Sequence, residues 1–144
     1  MPTDDADTET LSPPTGPTES PPLQFRLDPS PYEASVRDSI ASIVQFLIEM
    51  LGVRLVLHIA DRSDPGAAAS WASGERKPRQ AAEQKLRTAY RAFLTIQFAD
   101  NEHTARAWFI GLNPQLGDEA PATALREAQL RDVIVAAESF AQTG

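Results

Sequence analysis

Ile59-Ala-Asp-Arg-Ser-Asp-Pro-Gly-Ala-Ala-Ala-Ser-Trp-Ala-Ser-Gly-Glu-Arg-Lys-Pro-Arg79 is the stretch on which the fold turns. Asp64 stands where a carboxylate can accept from the free amides of a new helix, Pro65 suits a first helical position, and Gly74 supplies a stop. The spacing predicts a short helix over 65–73 with a polar connection, Glu75-Arg-Lys-Pro78, behind it. Working upstream, Val36, Ile40, Ile43, Val44, Leu47 and Leu51 recur at steps of three and four, predicting one amphipathic helix from Pro31 that Gly52 closes. The run Val53 to Ala60 is too short for its period to separate helix from strand. Downstream, Leu86, Tyr90, Phe93, Leu94 and Phe98 mark a long helix from about Pro78 to Ala99. Asp100 or Asn101 can cap a further helix carrying Ala105, Trp108, Phe109 and Leu112, with Gly111 as its stop. Pro121 opens a helix to Arg126, and Leu130, Val133, Ile134, Ala137 and Ala141 line one side of a last one. No alternating strand pattern stands out, so the expected class is all-α.

The chain has 144 residues, no cysteine and a net charge of −7. Lack of cysteine excludes a disulfide-stapled scaffold and any thiolate metal site. A reducing, cytoplasmic setting is expected. No apolar run reaches the ~20 residues of a bilayer span, and Met1-Pro-Thr-Asp-Asp has none of the blocks of a secretory signal, so no membrane association is expected. Eight of the twelve prolines fall in residues 1–31. With few apolar residues to offset the entropy of ordering, that stretch is expected to be a disordered acidic arm, with Leu23-Gln-Phe-Arg-Leu27 a brief sticky patch within it. Residues 32–99 and 100–144 are read as a helix-turn-helix domain and a small C-terminal helical domain.

Net charge conceals an uneven distribution. Residues 1–30 carry −5, residues 31–99 carry +2 and residues 100–144 carry −4. Within the middle block, Arg76, Lys77, Arg79, Lys85, Arg87 and Arg91 face only Glu83, so the stretch 76–91 is +5. A cationic run directly behind a capped short helix is what phosphate binding needs.

The segment from Ile59 to Arg79, with its tryptophan, glycine and basic-proline-basic series, resembles the helix-turn-helix of Xre-type bacterial regulators. The resemblance implies that Val53 to Ala60 is the first helix of the motif and that Trp71 anchors the inner side of the recognition helix. It implies that Ser63, Gly66 and Ser70 lie toward double-stranded DNA, with Arg76, Lys77 and Arg79 by its backbone. Gly66, Ala67, Ala68, Ala69 and Ser70 offer no long polar side chain for bidentate base contacts, so weak sequence readout is expected.

Residues 104–121, Thr104-Ala-Arg-Ala-Trp-Phe-Ile-Gly-Leu-Asn-Pro-Gln-Leu-Gly-Asp-Glu-Ala-Pro, followed by the last helices, resemble the toxin-binding domain of the Xre/MbcA/ParS antitoxin family. The shared elements are Trp108, Asn113-Pro114, Leu116-Gly117, Pro121, Leu125 and the helix from Val133 to Phe140. The family usually carries a glycine before its last helix, where this chain has Ala128-Gln129-Leu130. The resemblance implies an antitoxin-like regulator that pairs with a RES-domain toxin consuming NAD, covers its active site and represses its own operon. Candidate partner-binding residues are Trp108, Asn113, Gln115, Leu116 and Phe140. Read from the residues alone, Trp108 belongs to a core, while Asn113, Gln115 and Leu116 suit a surface.

Catalysis has little to draw on. The only histidines are His58, expected as a satisfied helix residue, and His103, expected exposed in a first helical turn. Neither a phosphate-cradling glycine loop nor a nucleophile motif is present. No catalytic residue, metal or cofactor is expected, and an enzyme is the least expected class. Action on a palindromic operator calls for a homodimer. The alternative is a helical interaction adaptor or structural subunit that does not touch DNA.

Overall fold

Asp38 and Ser39 interrupt the first expected helix. The computed structural model describes residues 29–143, so the expected arm, including Leu23 to Leu27, lies outside the described residues up to position 28. Helix α1 spans Pro31–Arg37 and α2 spans Ile40–Leu51. The Ser39 hydroxyl accepts from the Ser42 amide and starts α2. The break is held from far along the chain. Arg87 donates to the carbonyls of Ser35 and Asp38 at 2.9 and 2.8 Å, and the Tyr90 hydroxyl donates to Asp38 Oδ2 at 2.7 Å. Burial, and then the bond to Asp38, push the Tyr90 phenol up to about 12. With the register broken, Val36 leaves the apolar stripe and is 59% exposed.

The remaining helices among the described residues are α3 (Val53–Ala60), α4 (Pro65–Ser73), α5 (Gln80–Ala99), α6 (Glu102–Ile110), α7 (Pro121–Arg126) and α8 (Leu130–Thr143), with a 3₁₀ turn at Pro114–Leu116. No strand occurs among the described residues, only one bridge between Asn113 and Glu119, so the protein is all-α as expected. Local chemistry sets most of the ends. Asn101 accepts from the Thr104 amide to start α6, and Gly111 closes it. Gly52 takes φ 94° between α2 and α3, a conformation that favours glycine and lets the chain turn between two helices with one residue.

The described residues from Pro31 onward form one compact unit, and both expected domains contribute to the same core. Its centre is Phe93 on α5, fully buried, with Phe46 of α2 edge-on at 5.3 Å and Phe109 of α6 at 6.0 Å between ring centroids. Helix α5 packs against α1, α6 and α8. Small side chains at Ala89 and Ala92 on α5 and at Ala136 and Ala137 on α8 are buried, which permits close approach of helices. Phe98 and Leu112 do not join this core, being 61% and 77% exposed. Phe98 lies in the last turn of α5, and Leu112 follows the stop at Gly111, off the face its spacing assigned.

Ala128 ends α7 with φ 67°, left-handed backbone in which alanine is strained. Its amide bonds to the Leu125 carbonyl and that of Gln129 to Ala124, the paired bonds of a Schellman end that normally carries glycine. Ala128 therefore holds a backbone conformation that favours glycine.

Candidate functional site

Helices α3 and α4 meet through four residues. Asp61 closes α3 in the left-handed conformation (φ 61°, ψ 49°), which a short acid tolerates, and the Arg62 amide reaches back to Leu57. Asp64 then accepts from the Gly66 amide at 3.0 Å, Pro65 opens α4, and Gly74 at φ 81° stops it. Ala67, Ala68 and Trp71 point inward and are buried. Gln45 of α2 donates to the Ala72 carbonyl at 2.6 Å, and the Arg62 guanidinium covers the Trp71 ring at 5.7 Å. Trp71 is thus enclosed on the inner side of α4. The outward side of α4 carries Gly66, Ala69 and Ser73, exposed, and Ser70, half-buried.

The six cations of residues 76–91 do not form one patch. Lys85 donates to the Arg126 carbonyl at 2.7 Å, Arg87 pairs with Glu83 at 2.8 Å while holding the α1–α2 break, and Arg91 pairs with Glu138 and covers the Tyr32 ring. These three are structural. Arg76, Lys77 and Arg79 are exposed, and none of them is in an ion pair among the described residues. Pro78 between them is buried and pins the connection against the body. The Arg76 amide donates to the Ser70 carbonyl at 3.2 Å, with its guanidinium 3.5 Å from Ser70 Oγ. Arg76 and Ser70 are thereby brought together, and Ser63 and Gly66 stand exposed at the opposite, leading end of α4.

The five C-terminal candidates fare differently. Leu116 is 6% exposed, which corrects its reading as a surface residue. The 3₁₀ turn that Pro114 opens places it over α8, into the common core. Asn113 is turned to its own loop, its side chain accepting from the Gln115 amide and its carbonyl from the amides of Leu116 and Asp118. Gln115 is the one exposed member of the five, and it donates to Ser139 Oγ at 3.2 Å on the turn of α8 that precedes Phe140. Trp108 and Phe140 are half-buried against the core.

A polar cluster joining α3 to α7 escaped the sequence reading. The Arg126 guanidinium, which can only donate, lies 3.1 Å from His58 Nδ1. That nitrogen is therefore the acceptor, the imidazole is neutral, and its Nε2–H donates to Thr123 Oγ1 at 3.0 Å. Arg126 also pairs with Asp61 at 2.9 Å, an exposed contact contributing under ~1 kcal/mol. Desolvation and the adjacent Arg126 hold the His58 pKa below its ordinary value, against a smaller opposing pull from Asp61. The partners are 65 and 68 residues apart, a separation no local pattern encodes.

Among the described residues no group of three or more His, Cys, Asp or Glu side chains is placed to hold a metal, and no helix is long and apolar enough to cross a membrane. Fold and surfaces together define an all-α protein in which α3 and α4, joined by four residues, are followed by an exposed cationic connection. The chain matches no protein-family model, no curated protein and no solved structure.

Proposed function

We propose that the protein is an antitoxin-like, DNA-binding transcriptional regulator that grips duplex DNA chiefly through its phosphates. One observation carries the reading. Three exposed cations without ion-pair partners among the described residues follow directly on a capped, tryptophan-anchored helix packed against its predecessor. Arg76, Lys77 and Arg79 are the phosphate contacts in this reading, with Ser63, Gly66 and Ser70 along the DNA-facing edge. Short side chains on the outside of α4 leave base readout weak, so affinity rests on counterion release.

The C-terminal segment is proposed to bind a RES-domain toxin, a part of the reading that rests on the Trp108 to Pro121 motif. Gln115 and the adjoining edge of α8 at Phe140 offer the accessible contacts for such a partner. Repression of the protein's own operon in the cytoplasm follows from combining the two activities.

Fluorescence anisotropy with a labelled duplex tests the DNA half. Affinity should fall steeply with salt, by about −0.9 in log–log slope per contacted phosphate, and be lost in Arg76→Ala/Lys77→Ala/Arg79→Ala. Copurification with a RES-domain protein encoded next to this chain tests the toxin half. The short outer side chains of α4 favour a second reading, a helical interaction adaptor, which requires no DNA binding even at low salt.

A further inference from the structure

A partly enclosed cavity of about 210 Å³ lies where the start of α2, the end of α4 and the first half of α5 meet, with Trp71 in its wall. Three cations line it, Arg76 and Lys77 from the connection behind α4 and Arg87 from α5, against one acid, Glu83. The Glu83 carboxylate is already taken, accepting from Arg87 Nε at 2.8 Å. Arg76 and Lys77 are in no ion pair among the described residues, so three cations less one acid leave the walls at +2. Arg87 uses Nε and Nη1 to hold Glu83 and the α1–α2 break, and its Nη2 engages no acceptor among the described residues. Ile40 and Ala41 line the same cavity, and their amides, at the first two positions of α2, have no helical acceptor.

Cations solvated on an open face need no occupant. Gathered around a cavity, they focus their field inward and repel one another until an anion enters. The charge selects the class of that anion. A carboxylate would leave one of the two unpaired cations unmatched, whereas a phosphomonoester carries about −1.5 to −2 at pH 7 and three strong acceptor oxygens. At about 210 Å³ the space is below the ~300 Å³ at which pockets begin to enclose a whole small molecule, so it suits a terminal phosphate rather than a complete cofactor.

We propose that this cavity binds a phosphate dianion, either inorganic phosphate or the terminal phosphate of a small phosphomonoester. Arg76 and Lys77 are also phosphate contacts in the DNA reading above, so an occupied cavity withdraws them from a duplex. Only this consequence rests on that reading.

Amide chemical shifts of the isotope-labelled full chain, recorded without DNA at constant ionic strength, test the site. Inorganic phosphate should shift the Ile40, Ala41, Arg76 and Lys77 amides saturably, with a dissociation constant in the millimolar range or below. Arg76→Ala and Lys77→Ala should each raise that constant at least about tenfold, a loss of about 1.4 kcal/mol. Arg79 is outside the cavity walls, and Arg79→Ala should change the constant less than about twofold, because solvent screens its charge. All three positions are exposed, so the variants keep the fold, which unchanged far-UV circular dichroism spectra verify. Dimethyl phosphate, a singly charged diester like a DNA backbone phosphate, should bind at least about tenfold more weakly than inorganic phosphate. Glycerol phosphate binding more tightly than inorganic phosphate marks a carried group as the occupant, and weaker binding marks the free ion. Shifts that never saturate overturn the proposal. So does equal weakening by Arg79→Ala and Lys77→Ala, or dimethyl phosphate binding as tightly as the dianion. Phosphate binding without duplex binding removes the DNA reading and leaves this site standing, and duplex binding without phosphate binding does the reverse.

Discussion

Replacing Ala128 with glycine should stabilise the protein, against the usual direction of alanine-to-glycine changes. Ala128 is exposed, so little packing is lost with its methyl group. Its φ of 67° places Cβ against the following carbonyl at a cost of about 1–2 kcal/mol for an L-residue. Glycine removes that strain but adds about 0.5–1 kcal/mol of unfolded-state entropy. The difference is a gain of about 0.5–1 kcal/mol. In urea, with a slope of about 1.5 kcal/mol/M for a unit of this size, the midpoint should rise by roughly 0.3–0.7 M at constant slope. Ala107, exposed in the middle of α6 with ordinary helical backbone, is the control. The same change there should cost about 1 kcal/mol. The opposite signs at two exposed alanines isolate backbone conformation as the cause. Equal destabilisation at both positions would refute the reasoning, and would mean that the α7 end does not hold Ala128 in the left-handed region.

Other outcomes follow from the same structure. Trp71→Ala removes the anchor of α4 and should cost about 3–5 kcal/mol by chemical denaturation, with DNA binding lost alongside the motif. The triple change at Arg76, Lys77 and Arg79 should leave the stability within about 0.5 kcal/mol of wild type, because no structural ion pair is lost, while abolishing duplex binding. For His58 the folded pKa lies below the unfolded value of about 6.5, so the stability it confers is present above that value and is lost as pH falls through the folded pKa. Denaturation midpoints at pH 7.5 and 5.5 should therefore differ more in wild type than in His58→Gln, whose amide can still accept from Arg126 and donate to Thr123. Asn113→Ala should destabilise by about 1 kcal/mol, since its side chain caps the 3₁₀ turn, and a thermal melt unchanged by it would contradict that role.

Where a helix begins or ends was legible wherever one side chain or one glycine decides it locally. Asp64 with Pro65, Gly74, Asn101 and Gly111 act on amides and carbonyls within four residues, so reading their types was enough to place α4 and α6. The burial of Phe93 was legible for a related reason, since a large apolar side chain at helical spacing has only one favourable face. The division between α1 and α2 was not, because Arg87 and Tyr90 hold it from roughly 50 residues away. The cationic run was visible as a charge count. Only the packing of α5 showed that Lys85, Arg87 and Arg91 are tied to backbone or acids while Arg76, Lys77 and Arg79 face solvent. Leu116 was placed by the way its loop folds onto α8, and the His58, Thr123, Arg126 and Asp61 cluster by two helices brought together late in the chain. The amino-acid sequence by itself determined most of the helices, since their hydrogen bonds and periodicity are local, but not the break between α1 and α2. Which polar and apolar side chains remain for a partner was decided only in the tertiary structure, where long-range contacts use up some of them and leave the others to solvent.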